Sequence, residues 1–114
     1  MRTEKDYLGK VKVPDNAYYG VFTQRALENF QLSDFSIKKE FYYSIALIKK
    51  SAAQTNWKLK KLEARKAKAI IKASEELMKG KFDKEFCLDV FQAGAGTPYN
   101  MNVNEVIEIG RAHV

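Results

Sequence analysis

Residues 91–107, Phe-Gln-Ala-Gly-Ala-Gly-Thr-Pro-Tyr-Asn-Met-Asn-Val-Asn-Glu-Val-Ile, form the part of the chain best equipped to hold a small polar ligand. Gly94 and Gly96, with only Ala95 between them, let backbone approach a ligand closely. Thr97 adds a hydroxyl and a backbone N–H just ahead of an expected helix, and N–H groups at a helix start favour a carboxylate. Asn100, Asn102 and Asn104 alternate, and amides at that density suggest a buried polar network. On composition alone a plainer description serves as well: a glycine-rich turn capped by Thr97, then a helix carrying structural asparagines.

The elements that would position this segment are helical. Val11 and Val13 alternate with lysines in a short extended stretch of an otherwise irregular N-terminal arm, and Pro14-Asp15-Asn16 is a turn cluster. Thr23 is a candidate N-cap for a helix over 23–31. Ser36 is placed to cap a helix over 37–56, whose apolar face is Phe41, Ile45, Ile48 and Ala52 with Leu47 beside them. A further helix over 62–79 presents Ala67, Ile70, Ile71, Ser74 and Leu77 on one face and stops at Gly80. Phe82 and Phe86 are expected to turn inward, and a last helix is expected to begin near Asn100.

With 114 residues, 46% hydrophobic and 30% charged, the composition is that of one globular domain with a modest core. No apolar run approaches the roughly 20 residues a membrane-spanning helix requires. The charged start MRTEKDYLGK does not read as a secretory signal. Cys87 has no second cysteine to pair with, which fits a reducing cytoplasm, and between Phe86 and Leu88 it is expected to be a packed thiol. The net charge is +6, but the lysines alternate with apolar residues at helical spacing, as on a solvated face. No zinc pattern, glycine-rich phosphate loop or basic–aromatic alternation supports nucleic-acid binding.

Two blocks carry a resemblance. GAGTxxNMNxNEVI, residues 94–107, resembles the first signature region of the fumarase/aspartase superfamily. RxEKDxLGxxxVPxxAYYGxxTQRAxENF, Arg2 to Phe30, is similar to the opening of the same enzymes, so the likeness runs from residue 2 to 107 in order and spacing. The resemblance implies a mainly α chain: the N-terminal helical domain of the L-aspartase-like fold, without the central helix bundle that builds the homotetramer. It implies a soluble cytoplasmic lyase without a cofactor, acting on a small four-carbon dicarboxylate and binding neither nucleic acid nor membrane. It assigns substrate binding to Thr97, with Gly96 giving backbone clearance beside it. The family's catalytic serine, and the lysine and asparagine near it, belong to later signatures, so this chain alone is expected to be inactive. Ala95, where fumarases usually carry serine, and Tyr18-Tyr19-Gly20 resemble the aspartase branch more than the fumarase branch. Pro98-Tyr99 departs from both branches, and a bulky Tyr99 near the pocket would change its shape.

The domain is accordingly expected to cover 1–107. Residues 108–114, Glu-Ile-Gly-Arg-Ala-His-Val, read as a translated sequencing adapter. The adapter AG-ATC-GGA-AGA-GCA-CAC-GTC-TGA encodes Ile-Gly-Arg-Ala-His-Val and a stop, and its leading AG completes a GAG codon for Glu108. On that reading His113 is an artefact and neither base nor metal ligand. Two other classes compete with the enzyme fragment: a small helical adaptor that binds a partner through its amphipathic faces, and a basic nucleic-acid module.

Overall fold

Residues 2–13 pair with themselves. Arg2–Asp6 (β1) and Gly9–Val13 (β2) form an antiparallel hairpin in which Arg2 lies opposite Val13 and Asp6 opposite Gly9. The turn needs Gly9, whose φ of +125° is open to residues without a Cβ. Val11 and Val13 point inward from β2 while the lysines between and beside them stay exposed. The expected irregular arm is therefore a hairpin, because β1 (Arg-Thr-Glu-Lys-Asp) has no apolar alternation to announce it. Arg2 secures the 14–19 loop after the hairpin: its guanidinium donates to the carbonyls of Pro14, Asp15, Ala17 and Tyr19 at 2.6–3.1 Å.

The computed structural model describes residues 1–112, and after the hairpin these are mainly helical. The helices are α1 (Val21–Asn29), α2 (Lys39–Lys58), α3 (Ala64–Met78) and α4 (Thr97–Ala112), with a short 3-10 turn at Asp83–Glu85. His113 and Val114 lie outside the described residues. α2 and α3 form an antiparallel-type hairpin of long helices closed by the tight link 59–63, and α4 packs across α1, α2 and α3. The core contains Tyr42, Ala46, Leu77, Phe82, Phe86, Leu88, Tyr99, Val103, Val106 and Ile107. Tyr42 stacks on Phe86 at 4.3 Å between centroids. Gly110 lies where an added Cβ would meet the Phe82 ring at 3.4 Å and Ala73 at 3.5 Å, so α4 keeps packing beyond residue 107.

Four local expectations change. α1 begins at Val21 after Gly20, so Thr23 is inside the helix and fully buried rather than an N-cap. α2 is capped by Lys38 with no side-chain bond, while Ser36 forms an isolated bridge with Asp89. The buried face of α2 is Tyr42, Ala46 and Ala53, with Ile45 half-buried. Phe41, Leu47, Ile48 and Ala52 are exposed, a face displaced from the one expected. Small residues, Ala46 and Ala53 on α2 with Ala67, Ala73 and Ser74 on α3, occupy most of the buried positions, beside Tyr42 and Leu77. A pattern weighted by large side chains overlooks such a seam. Finally, Cys87 is exposed, while Phe86 and Leu88 on either side are buried. Phe82 and Phe86 do turn inward, and Gly80 comes after the end of α3 with φ +94°.

Candidate functional site

The glycine-rich segment makes a turn that delivers the chain into α4. Gly96 N–H donates to the Ala93 carbonyl at 3.0 Å, and the Gly96 carbonyl accepts from Asn100 N–H at 3.2 Å, so Gly96 is the residue on which the helix starts. Its φ is +82°, and a Cβ there or at Gly94 would meet nothing within 4 Å. Gly96 is thus required by the backbone conformation, and the space beside it is open. Thr97 is the first helical residue, three positions ahead of the expected start. Pro98 falls in the first turn, where its missing N–H costs nothing because those groups have no intrahelical acceptor.

Thr97 stays exposed, and its hydroxyl makes no hydrogen bond to any described residue. The cap is a glycine, so the hydroxyl is not spent on ending the helix. Tyr99 does the opposite of what its bulk suggested. It is 5% exposed, meets Phe41 and Tyr42 edge-on at 5.4 and 5.8 Å, and donates its hydroxyl to the Val90 carbonyl at 3.2 Å. Burial pushes its phenol pKa up. Tyr99 therefore lies in the core and pins the first turn of α4, leaving the outer side of the turn to Gly94, Ala95 and Thr97. The asparagines do not form one network: only Asn102 is fully buried, donating to the Glu85 carbonyl at 3.2 Å, while Asn100 and Asn104 are half-buried.

Two carboxylates hold the supports of this turn. Asp89 accepts from Leu32 N–H (2.7 Å), Ser33 N–H (2.5 Å), the Ser33 hydroxyl (2.9 Å) and Phe91 N–H (2.8 Å). The Phe91 N–H bond, aided by the bonds from the 32–33 segment, holds its carboxyl below the usual carboxylate range against the cost of burial. It ties the segment entering the glycine-rich turn to the segment ahead of α2. Glu105, eight residues along α4 from Thr97, reaches the other way. It accepts from Phe22 N–H at 3.0 Å, Thr23 N–H at 2.8 Å and the Thr23 hydroxyl at 2.6 Å. A carboxylate from α4 thereby satisfies the opening N–H groups of α1, where the helix dipole also favours negative charge. Gly20 makes room for it, since a Cβ there would sit 2.6 Å from Glu105 Oε2 and 3.0 Å from Glu4 Oε1. Neither role is visible locally: the partners of Glu105 are 82 and 83 residues away, and those of Asp89 up to 57.

The chemistry left on the outer side of this turn is of a kind that suits an anion. Thr97 is exposed and its hydroxyl is unengaged among the described residues, the positions of Gly94 and Gly96 beside it are open, and Tyr99 anchors the opposite side in the core. Among the described residues no group of three or more His, Cys, Asp or Glu is placed to hold a metal, and no helix is long and apolar enough to cross a membrane.

A family model described as "Lyase" matches residues 9–114. The chain is 46% identical over 106 residues to a class II fumarate hydratase of Halobacterium salinarum, covering 93% of this chain and 23% of that protein. It is 45% identical over 107 residues to an aspartate ammonia-lyase of a Bacillus species, covering 94% of this chain and 23% of that protein. The class II fumarase from Schistosoma mansoni superposes with a TM-score of 0.95 at 41% identity, covering 98% of this chain and 24% of that one. The chain thus spans about a quarter of the length of these relatives.

Proposed function

Because the chain belongs to the fumarase/aspartase superfamily of lyases, we propose that it is the N-terminal part of a longer aspartate ammonia-lyase, which eliminates ammonia from L-aspartate to give fumarate. The observation that carries the reading is the exposed Thr97 hydroxyl, unspent at a helix start that is already capped by Gly96. In this reading a substrate carboxylate lies against the Thr97 hydroxyl and N–H, and the open backbone at Gly96 allows the approach. Elimination begins when a base removes the proton beside one carboxylate. The dianion so formed gains most from donors fixed in advance, and then ammonia leaves. Thr97 is such a donor; the base comes from outside this chain, and the working enzyme is a cytoplasmic homotetramer.

Ala95 favours aspartate over the hydratase reaction, since it offers no hydroxyl on the open side of the turn. A second reading, class II fumarate hydratase, is kept open by relatives of similar identity that carry that name. The complete enzyme decides between them: we expect ammonia and fumarate from aspartate, with no malate from fumarate. Malate from fumarate without ammonia from aspartate would reverse the choice. Residues 108–114 remain in this proposal a non-native extension, tested by sequencing the source DNA across Ile107. A native Glu108-Ile109-Gly110-Arg111 reading there would refute it.

A further inference from the structure

The charge of this protein is collected at one end. Between residues 58 and 72 lie Lys58, Lys60, Lys61, Arg65, Lys66, Lys68 and Lys72 against the single carboxylate of Glu63, a net +6. That equals the net charge of the whole chain, so all other residues balance, 13 cations against 13 carboxylates. Along the sequence these lysines look like a solvated helix face. In the fold they crowd the link between α2 and α3 and the first turns of α3, and all seven are exposed. Lys50 and Lys81 elsewhere pair with Glu75 and Glu76, but none of the seven forms an ion pair with a described residue. Arg65 and Lys66 also stand in the first turn of α3, which has no acidic residue, so they add like charge to the positive end of the helix dipole.

An aromatic platform adjoins the cluster. Trp57 is 38% exposed, and Lys68 Nζ lies 5.6 Å from its ring centroid. Trp57, Ile71, Lys58, Lys68 and Lys72, with Gln54 and with Glu75, whose carboxylate is paired to Lys50 at 3.1 Å, line an open concavity of about 760 Å³. Lys68 and Lys72 are shared with a second concavity of about 510 Å³ that adds Arg65 and Lys66. These volumes fall in the range of small-molecule sites, ~300–1,000 Å³. One side is thus flat and apolar, and a ridge of unpaired cations divides it from a second basic hollow.

We propose that the α2–α3 end binds a nucleoside polyphosphate, its base against Trp57 and Ile71 and its phosphates on Lys58, Lys68 and Lys72. The ring supplies stacking and the lysines supply charge, and neither a bare anion nor a nucleoside would use both. The second hollow reaches Arg111, fourteen residues along α4 from Thr97, or about 21 Å at helical rise. The site is therefore separate from the turn proposed to hold substrate and does not rest on that reading.

The test uses calorimetry on the complete protein at low ionic strength with ATP, tripolyphosphate and adenosine as probes. We expect saturable ATP binding about fivefold or more tighter than tripolyphosphate, the least that one stacked base contributes, and no measurable adenosine binding. Lys68→Ala with Lys72→Ala should weaken ATP about tenfold or more. Both sites are exposed in a helix, where alanine is well tolerated. Trp57→Ala should bring ATP down to the affinity of tripolyphosphate. Lys10→Ala with Lys84→Ala, which removes equal charge elsewhere, should leave binding unchanged. Tripolyphosphate binding as tightly as ATP in the unmodified chain would overturn the proposal without recourse to any variant. So would an equal loss in the Lys10/Lys84 variant, or single-stranded RNA binding that ATP does not displace.

Discussion

Replacing Glu105 by alanine should destabilise the fold far more than an ordinary half-exposed glutamate would. The side chain accepts three hydrogen bonds, from two opening N–H groups of α1 and the Thr23 hydroxyl. Thr23 is fully buried, so its hydroxyl cannot turn to water in the variant. Hydrogen bonds to a charged acceptor contribute about 1.5–3 kcal/mol each, but three on one carboxylate are not additive. Partial solvent access to Glu105 lowers the sum further, and a loss of about 2–4 kcal/mol is expected. For a chain of this size that corresponds to a fall in Tm of roughly 8–16 °C, read from the helical circular-dichroism signal. Glu105→Gln keeps one acceptor and should lose about half as much. Gly20→Ala supplies the control that a generic packing defect would fail. In the unmodified chain its Cβ collides with Glu105 Oε2, so it should destabilise clearly; in the Glu105→Ala background only the milder 3.0 Å approach to the Glu4 side chain remains and it should cost less. A Tm within about 2 °C of the parent for Glu105→Ala, or additive losses in the double variant, would refute the latch between α4 and α1.

Tyr42→Phe should be neutral or stabilising by up to about 1 kcal/mol in urea denaturation, because the fully buried hydroxyl has no partner among the described residues; a loss of similar size would show a partner. Asp89 has its carboxyl pKa lowered on folding, so its contribution is present above the unfolded value of 3.8 and is lost as pH falls through the lower folded value. Asp89→Asn should accordingly flatten the acid limb of a stability–pH curve, and an unchanged limb would contradict the bonding described. Tyr43 is pushed up to about 12, chiefly by its hydrogen bond to Asp83 at 2.6 Å. That contact should stabilise fully below pH 10 and fade toward pH 12, and Tyr43→Phe should remove one late-titrating phenol from the ultraviolet titration. The purified 114-residue chain should release no ammonia from aspartate and hydrate no fumarate; turnover by the chain alone would show that its catalytic groups lie within it.

Legibility in the sequence depends on how far each interaction reaches. α2 and α3 announce themselves by apolar spacing within a few turns, and Gly80 and Gly96 mark ends that their positive φ angles explain. The buried face of α2 escapes such spacing because two of its three buried residues, Ala46 and Ala53, are small, while Ile48 is exposed and Phe41 reaches Tyr99 only with its edge. The hairpin is only half visible, since β1 is almost entirely polar and is held by Val11 and Val13 of its partner and by Arg2 reaching the 14–19 loop. Thr23 and Ser36 look like caps because they are the right residue types, but the Thr23 hydroxyl bonds Glu105 and the Ser36 backbone bridges to Asp89, both on distant segments. At the candidate site, Thr97 and Gly96 are readable from the motif. Tyr99 is not, because nothing local says that a tyrosine at the third position of a helix turns into the core rather than toward a ligand.

The central claim is that Thr97 holds substrate rather than merely starting a helix, and one variant of the complete enzyme tests it. Thr97→Ala removes one donor from a developing dianion, for an expected fall in kcat/KM of about ten- to a thousandfold. The hydroxyl makes no hydrogen bond to any described residue, so Tm should stay within about 2 °C of the parent. Normal kinetics in the variant, or a rate loss that only tracks a fall in Tm, would contradict the account.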